Sequence, residues 1–137
     1  MKKIICFRNS KLGDYLISIP ALKLIKDNNP ESKLYFLCAK NNYFLNLPKK
    51  IEKKKIVDEF IFYDHSFLNL LKLIKFLKSK KFNKIYYIQE KPNLYRETRD
   101  YLYFRLLGIP KLYGFFEKRL DYASFSETFQ VAKRIDK

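Results

Sequence analysis

The sequence predicts an α/β fold in which a parallel sheet carries helices on both faces. Three observations point there. Short apolar runs rich in β-branched and aromatic residues alternate with longer stretches whose apolar residues recur at helical spacing. Asn, Gly and Pro punctuate the boundaries between them. Hydrophobic residues form 47% of the 137-residue chain and aromatics 18%, which suits one domain with a real core. Strands that alternate with helices pair in parallel through right-handed crossovers.

Taken in order, Lys3, Ile4, Ile5, Cys6 and Phe7 read as a first strand, ended by the polar loop over 8–13. A helix is predicted over 14–27, with Leu16, Ile19, Leu22 and Leu24 or Ile25 at helical spacing. Pro20 lies within it and predicts a break or kink there, because proline lacks the N–H that a helix interior uses. Asn28, Asn29 and Pro30 close it. The run KLYFLCA over 33–39 is a second strand. A short helix over 41–47 and a charged connector over 48–55 lead to a third strand over 57–63. Residues 66–80 give the clearest helix, with Phe67, Leu70, Leu71, Ile74 and Leu77 as its inward stripe and Lys72, Lys75 and Lys78 elsewhere. A fourth strand is expected over 84–89 and a helix over 95–107, stopped by Gly108 and Pro110. A short strand over 111–114 and the start of a helix over 126–135 complete the pattern.

The formal net charge is +15. It has two explanations. A polyanionic partner is one: nucleic acid, an anionic membrane face or a phosphorylated glycolipid. Composition is the other, since the basic residues are mostly Lys and the chain is also rich in Ile, Asn, Tyr and Phe, as an AT-biased coding sequence produces. The cysteines, Cys6 and Cys38, sit inside strand-like runs and read as buried reduced thiols rather than a disulfide framework. The first apolar run is too short for a secretory signal or a membrane span, so a cytoplasmic protein is expected.

The candidate chemistry lies in the loop Arg8-Asn9-Ser10-Lys11-Leu12-Gly13-Asp14, which leaves the first strand. In doubly wound sheets ligands bind beyond the carboxyl ends of the strands. Gly13 permits a tight turn and close approach of a ligand to the backbone. Asp14 falls where a helix start favours an ionised carboxylate; a plain capping role is the simpler account of it at this level. Neither the dinucleotide fingerprint nor the phosphate-loop signature is present.

The stretch from Lys2 to Asn41 resembles the start of glycosyltransferase family 9, the lipopolysaccharide heptosyltransferases. That family opens with a hydrophobic strand, then R-x-S-x-x-G-D, five apolar or small residues, and P-A-L. Arg8, Ser10, Gly13, Asp14, Pro20, Ala21 and Leu22 match. Weaker likeness continues through VDEFIFYD, FNKIYYIQ and LLGIPKLYGF, covering most of residues 2–116. The resemblance implies a Rossmann-like domain over 1–125, the amino-terminal half of a glycosyltransferase-B fold, with 126–137 beginning a connecting helix and the carboxy-terminal donor domain absent from this chain. It implies an inverting transferase that moves a heptose or related sugar from a nucleotide sugar, such as ADP-heptose, to the lipopolysaccharide core or a similar surface glycan. Asp14 matches the family's general base. Arg8, Ser10, Lys11, Gly13, Gln89 and Arg96 are then the candidate contacts to the glycolipid acceptor. No metal or cofactor beyond the nucleotide-sugar co-substrate is expected, and no nucleic acid. Lys11 departs from the small Ser or Thr of many relatives. Gln89-Glu90-Lys91-Pro92-Asn93 departs from Gln-Gly followed by small residues, so acceptor choice is not carried over.

Other residues have simpler explanations beside the functional one. His65 suits a loop or cap before the helix over 66–80. Arg96 and Arg99 lie in the first turns of the helix after the fourth strand, where an i,i+4 pair with Asp100 explains Arg96 without a ligand. The helix over 66–80 and the lysines at 49, 50, 53, 54 and 55 suit a solvated surface, with peripheral contact to the anionic inner face of the inner membrane as the functional expectation. Two rival functions stand beside transfer: a non-catalytic basic module that binds RNA or an anionic membrane surface, and an inactive truncated relative.

Overall fold

The structure, a computed structural model, describes residues 1–8, 12–40, 56–64, 66–89 and 93–116, with only the backbone of residues 12–14. The strands are β1 (Lys3–Phe7), β2 (Lys33–Ala39), β3 (Glu59–Tyr63), β4 (Lys84–Tyr87) and β5 (Lys111–Tyr113). The helices are α1 (Leu12–Asn28), α2 (Phe67–Lys80) and α3 (Leu94–Leu106). All five strands pair in parallel in the order β3-β2-β1-β4-β5. The chain steps outward from β1 to β3, crosses back, and continues through β4 to β5, as in a Rossmann-like sheet.

Strand residues alternate between the two faces. Ile4, Cys6, Leu34, Phe36 and Cys38 pack under α1 with Tyr15, Ala21, Leu22 and Ile25. Ile5, Phe7, Tyr35, Leu37 and Tyr87 pack under α2 and α3 with Leu73, Leu77, Phe104 and Leu107. Burial on both faces explains why β1 and β2 read as continuous apolar runs rather than alternating ones. Both cysteines are buried and outside any disulfide, and burial pushes the Cys38 thiol up to about 12.

The elements fall where the sequence puts them, with the third, fourth and fifth strands shorter than read. Two details differ. The first is α1, which runs unbroken through Pro20 and starts at Leu12, so Gly13 and Asp14 lie in its first turn rather than before it. Pro20 has no N–H for the carbonyl of Leu16, but Leu16 is 41% exposed, so this turn faces solvent. Ala21, Leu22 and Ile25, all at 0%, hold the helix on the sheet beyond it. Leu16 therefore leaves the inward stripe, which Tyr15 and Ser18 join.

The second is α2, whose predicted stripe is turned. Phe67 is 74% and Leu71 45% exposed, while Leu73 and Leu77 are buried. The helix carries apolar residues around most of its circumference, so periodicity alone left two overlapping faces to choose from, and docking on the sheet decided between them. Its ends are set by local chemistry. The Ser66 hydroxyl accepts from the Asn69 N–H, and Lys81 closes the helix in the left-handed region at φ 54°. In α3, Asn93 caps the first turn through the Arg96 N–H, and Gly108 follows the last turn at φ 73°. The readings over 41–47, 48–55 and 126–135, and the 125/126 boundary, lie outside the described residues.

The amino-terminal edge of the sheet is stitched by polar contacts. Lys26 pairs with Asp58 at 2.9 Å, and the same carboxylate accepts the Leu34 N–H at 2.7 Å. The Lys3 N–H donates to Asn83 Oδ1 at 2.9 Å, and Lys84 donates to Asn29 Oδ1 at 3.0 Å. This edge is structural.

Candidate functional site at the carboxyl rim

At the opposite edge, parallel pairing runs past the strand ends. The Arg8 N–H donates to the Leu37 carbonyl at 3.2 Å, the Ile88 N–H to Phe7 at 3.1 Å and the Lys40 N–H to Tyr63 at 2.7 Å. The strand order reverses between β1 and β4. The connection after β1 leads to one side of the sheet and that after β4 to the other, which opens a crevice between them. The first turns of α1 and α3 start from these two connections, so their backbone N–H groups lie at this rim.

The predicted residues fall around this rim unevenly. Gly13 and Asp14 occupy the second and third positions of α1. Gln89 stands half-buried two residues beyond the end of β4. Arg96 is exposed on the first turn of α3. Ser10, Lys11, Glu90, Lys91, Pro92 and His65 lie outside the described residues.

Arg8 is not a solvated loop charge. Only 2% of it is exposed, and its Nη1 donates to the Ser18 hydroxyl of α1 at 3.0 Å. Alternation places residue 8 on the α1 face of the sheet, so its side chain enters beneath the helix. The matched arginine thereby braces the helix that carries the matched aspartate.

The expected pair between Arg96 and Asp100 is replaced. Asp100 accepts from Arg99 at 2.9 Å and from the Tyr87 hydroxyl at 2.8 Å. Asp100 thus faces the strand rather than the outer turn that carries Arg96. On this side a cavity of about 160 Å³ lies between α2, α3 and the ends of β1 to β3. Phe7, Leu37, Leu73 and Phe104 form its apolar wall, and Arg99 and Asp100 its polar side. A cavity of this size holds one six-membered ring. Tyr63, also in its wall, has its hydroxyl pushed well above the ordinary range, first by burial and then by the Asp100 carboxylate. Sequence reasoning missed this cluster. Strand alternation with Phe7 was the available signal for Tyr87, but nothing in the chain marks which side of α3 Asp100 takes.

Among the described residues, no group of three or more His, Cys, Asp or Glu is placed to hold a metal ion. No helix among them is long and apolar enough to cross a membrane. No protein-family model matches the chain, and no curated protein matches it either.

Proposed function

We propose that this chain is the acceptor-binding half of an inverting glycosyltransferase, with Asp14 as the general base. The observation that supports it best is the location of α1. Its first turn, with Gly13 and Asp14, begins at the carboxyl rim next to the β1/β4 reversal, where sheets of this order receive ligands. The order of residues from Arg8 to Leu22 supports the sugar-transfer chemistry specifically. In that chemistry the Asp14 carboxylate takes the proton of an acceptor hydroxyl as its oxygen attacks the anomeric carbon of the donor. The bond from that carbon to the nucleotide diphosphate breaks on the opposite side, and the diphosphate leaves with the electron pair. The buried Arg8–Ser18 contact keeps α1 in place against the strand and so fixes where the carboxylate starts from. The transferred sugar is a heptose or a relative, and the acceptor is the lipopolysaccharide core or a similar glycan.

The test is transfer by the full-length gene product against a panel of nucleotide sugars and core acceptors, parent beside Asp14→Asn. A general base contributes on the order of 100- to 10,000-fold, so a loss of that size with an unchanged melting temperature is expected. An unchanged rate removes Asp14 from the mechanism. A parent inactive with every donor overturns the sugar reading itself.

A further inference from the structure

The layer formed by α2 and α3 combines two features that globular surfaces usually keep apart. Its outer side carries large aliphatic and aromatic residues: Phe67 (74% exposed), Leu68 (69%) and Leu71 on α2, and Tyr95 (77%), Leu102 and Leu106 (72%) on α3. The exposed charged residues among them are all cations, Lys72, Lys75 and Lys78 on α2 and Arg96, Arg99 and Arg105 on α3. The segment Phe67–Lys80 contains no acidic residue. The carboxylates of α3 both turn inward: Glu97 is 8% exposed and accepts the Phe116 N–H, and Asp100 is held by Arg99 and Tyr87. Both helices pack on the same face of the sheet, so their outer sides point away from it together.

We propose that this layer is a docking surface for an anionic lipid bilayer, with the leucines entering the headgroup boundary and the lysines and arginines meeting lipid phosphates. Charge selects the partner. A second copy of this chain would set five unpaired cations against five, since Arg99 already holds Asp100, with no exposed carboxylate on the described parts of α2 and α3 to answer them, which disfavours self-association through this face. A nucleic acid satisfies the cations but leaves the aliphatic side chains in water, whereas a bilayer with acidic headgroups takes both. Lys stems also reach past apolar neighbours to place their ammonium groups at the phosphate level. The proposal does not depend on Asp14 or on sugar transfer.

The experiment is sedimentation of the full-length protein with phosphatidylglycerol-rich vesicles and with pure phosphatidylcholine vesicles, at low and high salt. Binding to the acidic vesicles alone, weakened by salt, is expected. Each surface cation contributes about five-fold in partitioning, so Lys72→Glu/Lys75→Glu/Lys78→Glu should lower it by at least about 100-fold. Leu102→Gln/Leu106→Gln should weaken binding in a way that low salt does not restore. A matched triple reversal on other surfaces, Lys2→Glu/Lys23→Glu/Lys111→Glu, should leave most binding intact. Asp14→Asn should leave it unchanged, so this proposal and the transfer reading fail separately. Failure to bind acidic vesicles, equal loss in both triple variants, or full retention by the leucine variant overturns the proposal. RNA binding that survives the leucine changes, with vesicle binding absent, assigns the face to nucleic acid instead. The substituted lysines and leucines are all exposed, and circular dichroism checks that each variant folds.

Discussion

One face of the sheet is covered by α1, whose inner residues Ala21, Leu22 and Ile25 are fully buried and whose outer side mixes Lys23 with Asp27. The other is covered by α2 and α3, which bury Leu73, Leu77 and Phe104 but also turn Phe67, Leu68, Leu102 and Leu106 outward. The two layers also treat polar groups differently. Under α1 a guanidinium is sealed with a hydroxyl acceptor. Under α3 a phenol is sealed without one. Beyond Pro20, where the outward apolar residues Leu16 and Ile17 end, an apolar residue on the first layer is therefore there for folding. On the second layer the same residue type serves folding only on the inner side, and an account of its presence outside has to come from something other than the core.

The sharpest separation is between apolar side chains on the inner and outer sides of the second layer. Phe104 is 2% exposed and touches Phe7 edge-on with ring centroids 5.3 Å apart. Phe104→Ala should cost about 3–5 kcal/mol, through lost transfer energy and the void left behind. Leu71→Ala, at a residue 45% exposed, should cost no more than about 0.5 kcal/mol. Denaturant midpoints at unchanged slope decide it. Similar losses at both positions would mean that α2 is not seated with Leu73 and Leu77 inward.

A smaller effect compares hydroxyls across the two layers. Ser18 on α1 accepts from the buried Arg8, and Ser79 on α2 donates to the Phe76 carbonyl at an exposed site. Ser18→Ala takes an acceptor from a buried cation and should cost roughly 1.5–3 kcal/mol. Ser79→Ala should change stability by less than about 0.5 kcal/mol, because water replaces what is removed. If the two variants unfold alike, Arg8 is not braced by the helix and its role in holding α1 at the rim falls.

The same contrast explains what the sequence made legible. β1 and β2 were readable to the residue because burial on both faces leaves an uninterrupted apolar run between polar ends. The order of elements gave the parallel sheet because crossovers have one hand. α2 was visible as a helix but not in rotation, since its composition offers more than one apolar arc and only the sheet selects one. Pro20 misled because a proline's penalty is local, while the packing of Ala21, Leu22 and Ile25 is not. At the candidate site, Gly13 and Asp14 were legible as a helix start. The burial of Arg8 was not, because a loop arginine and a strand-end arginine look alike until alternation is counted one residue past the strand. The partnership of Tyr87 with Asp100 spans two elements and leaves no trace in either.

The smallest expected effect belongs to Tyr103, whose hydroxyl is buried with no hydrogen-bond partner among the described residues. A sealed donor that gives up water and gains nothing is destabilising, so Tyr103→Phe should stabilise the protein by about 1 kcal/mol. The ring itself stays in place against Phe104, at a centroid distance of 5.4 Å. Burial also pushes the Tyr103 hydroxyl up to about 12 from the ordinary 10.0. The unfolded chain therefore ionises first. The part of stability tied to the neutral phenol is complete below about pH 10 and is lost as pH climbs toward about 12. Phenylalanine lacks this loss, so the advantage of Tyr103→Phe should widen over that range in denaturant midpoints measured against pH. A variant less stable than the parent at neutral pH would show that the hydroxyl has an acceptor in solution, such as a water held in the neighbouring cavity. The contrast between the satisfied Arg8 and the unsatisfied Tyr103 would then disappear.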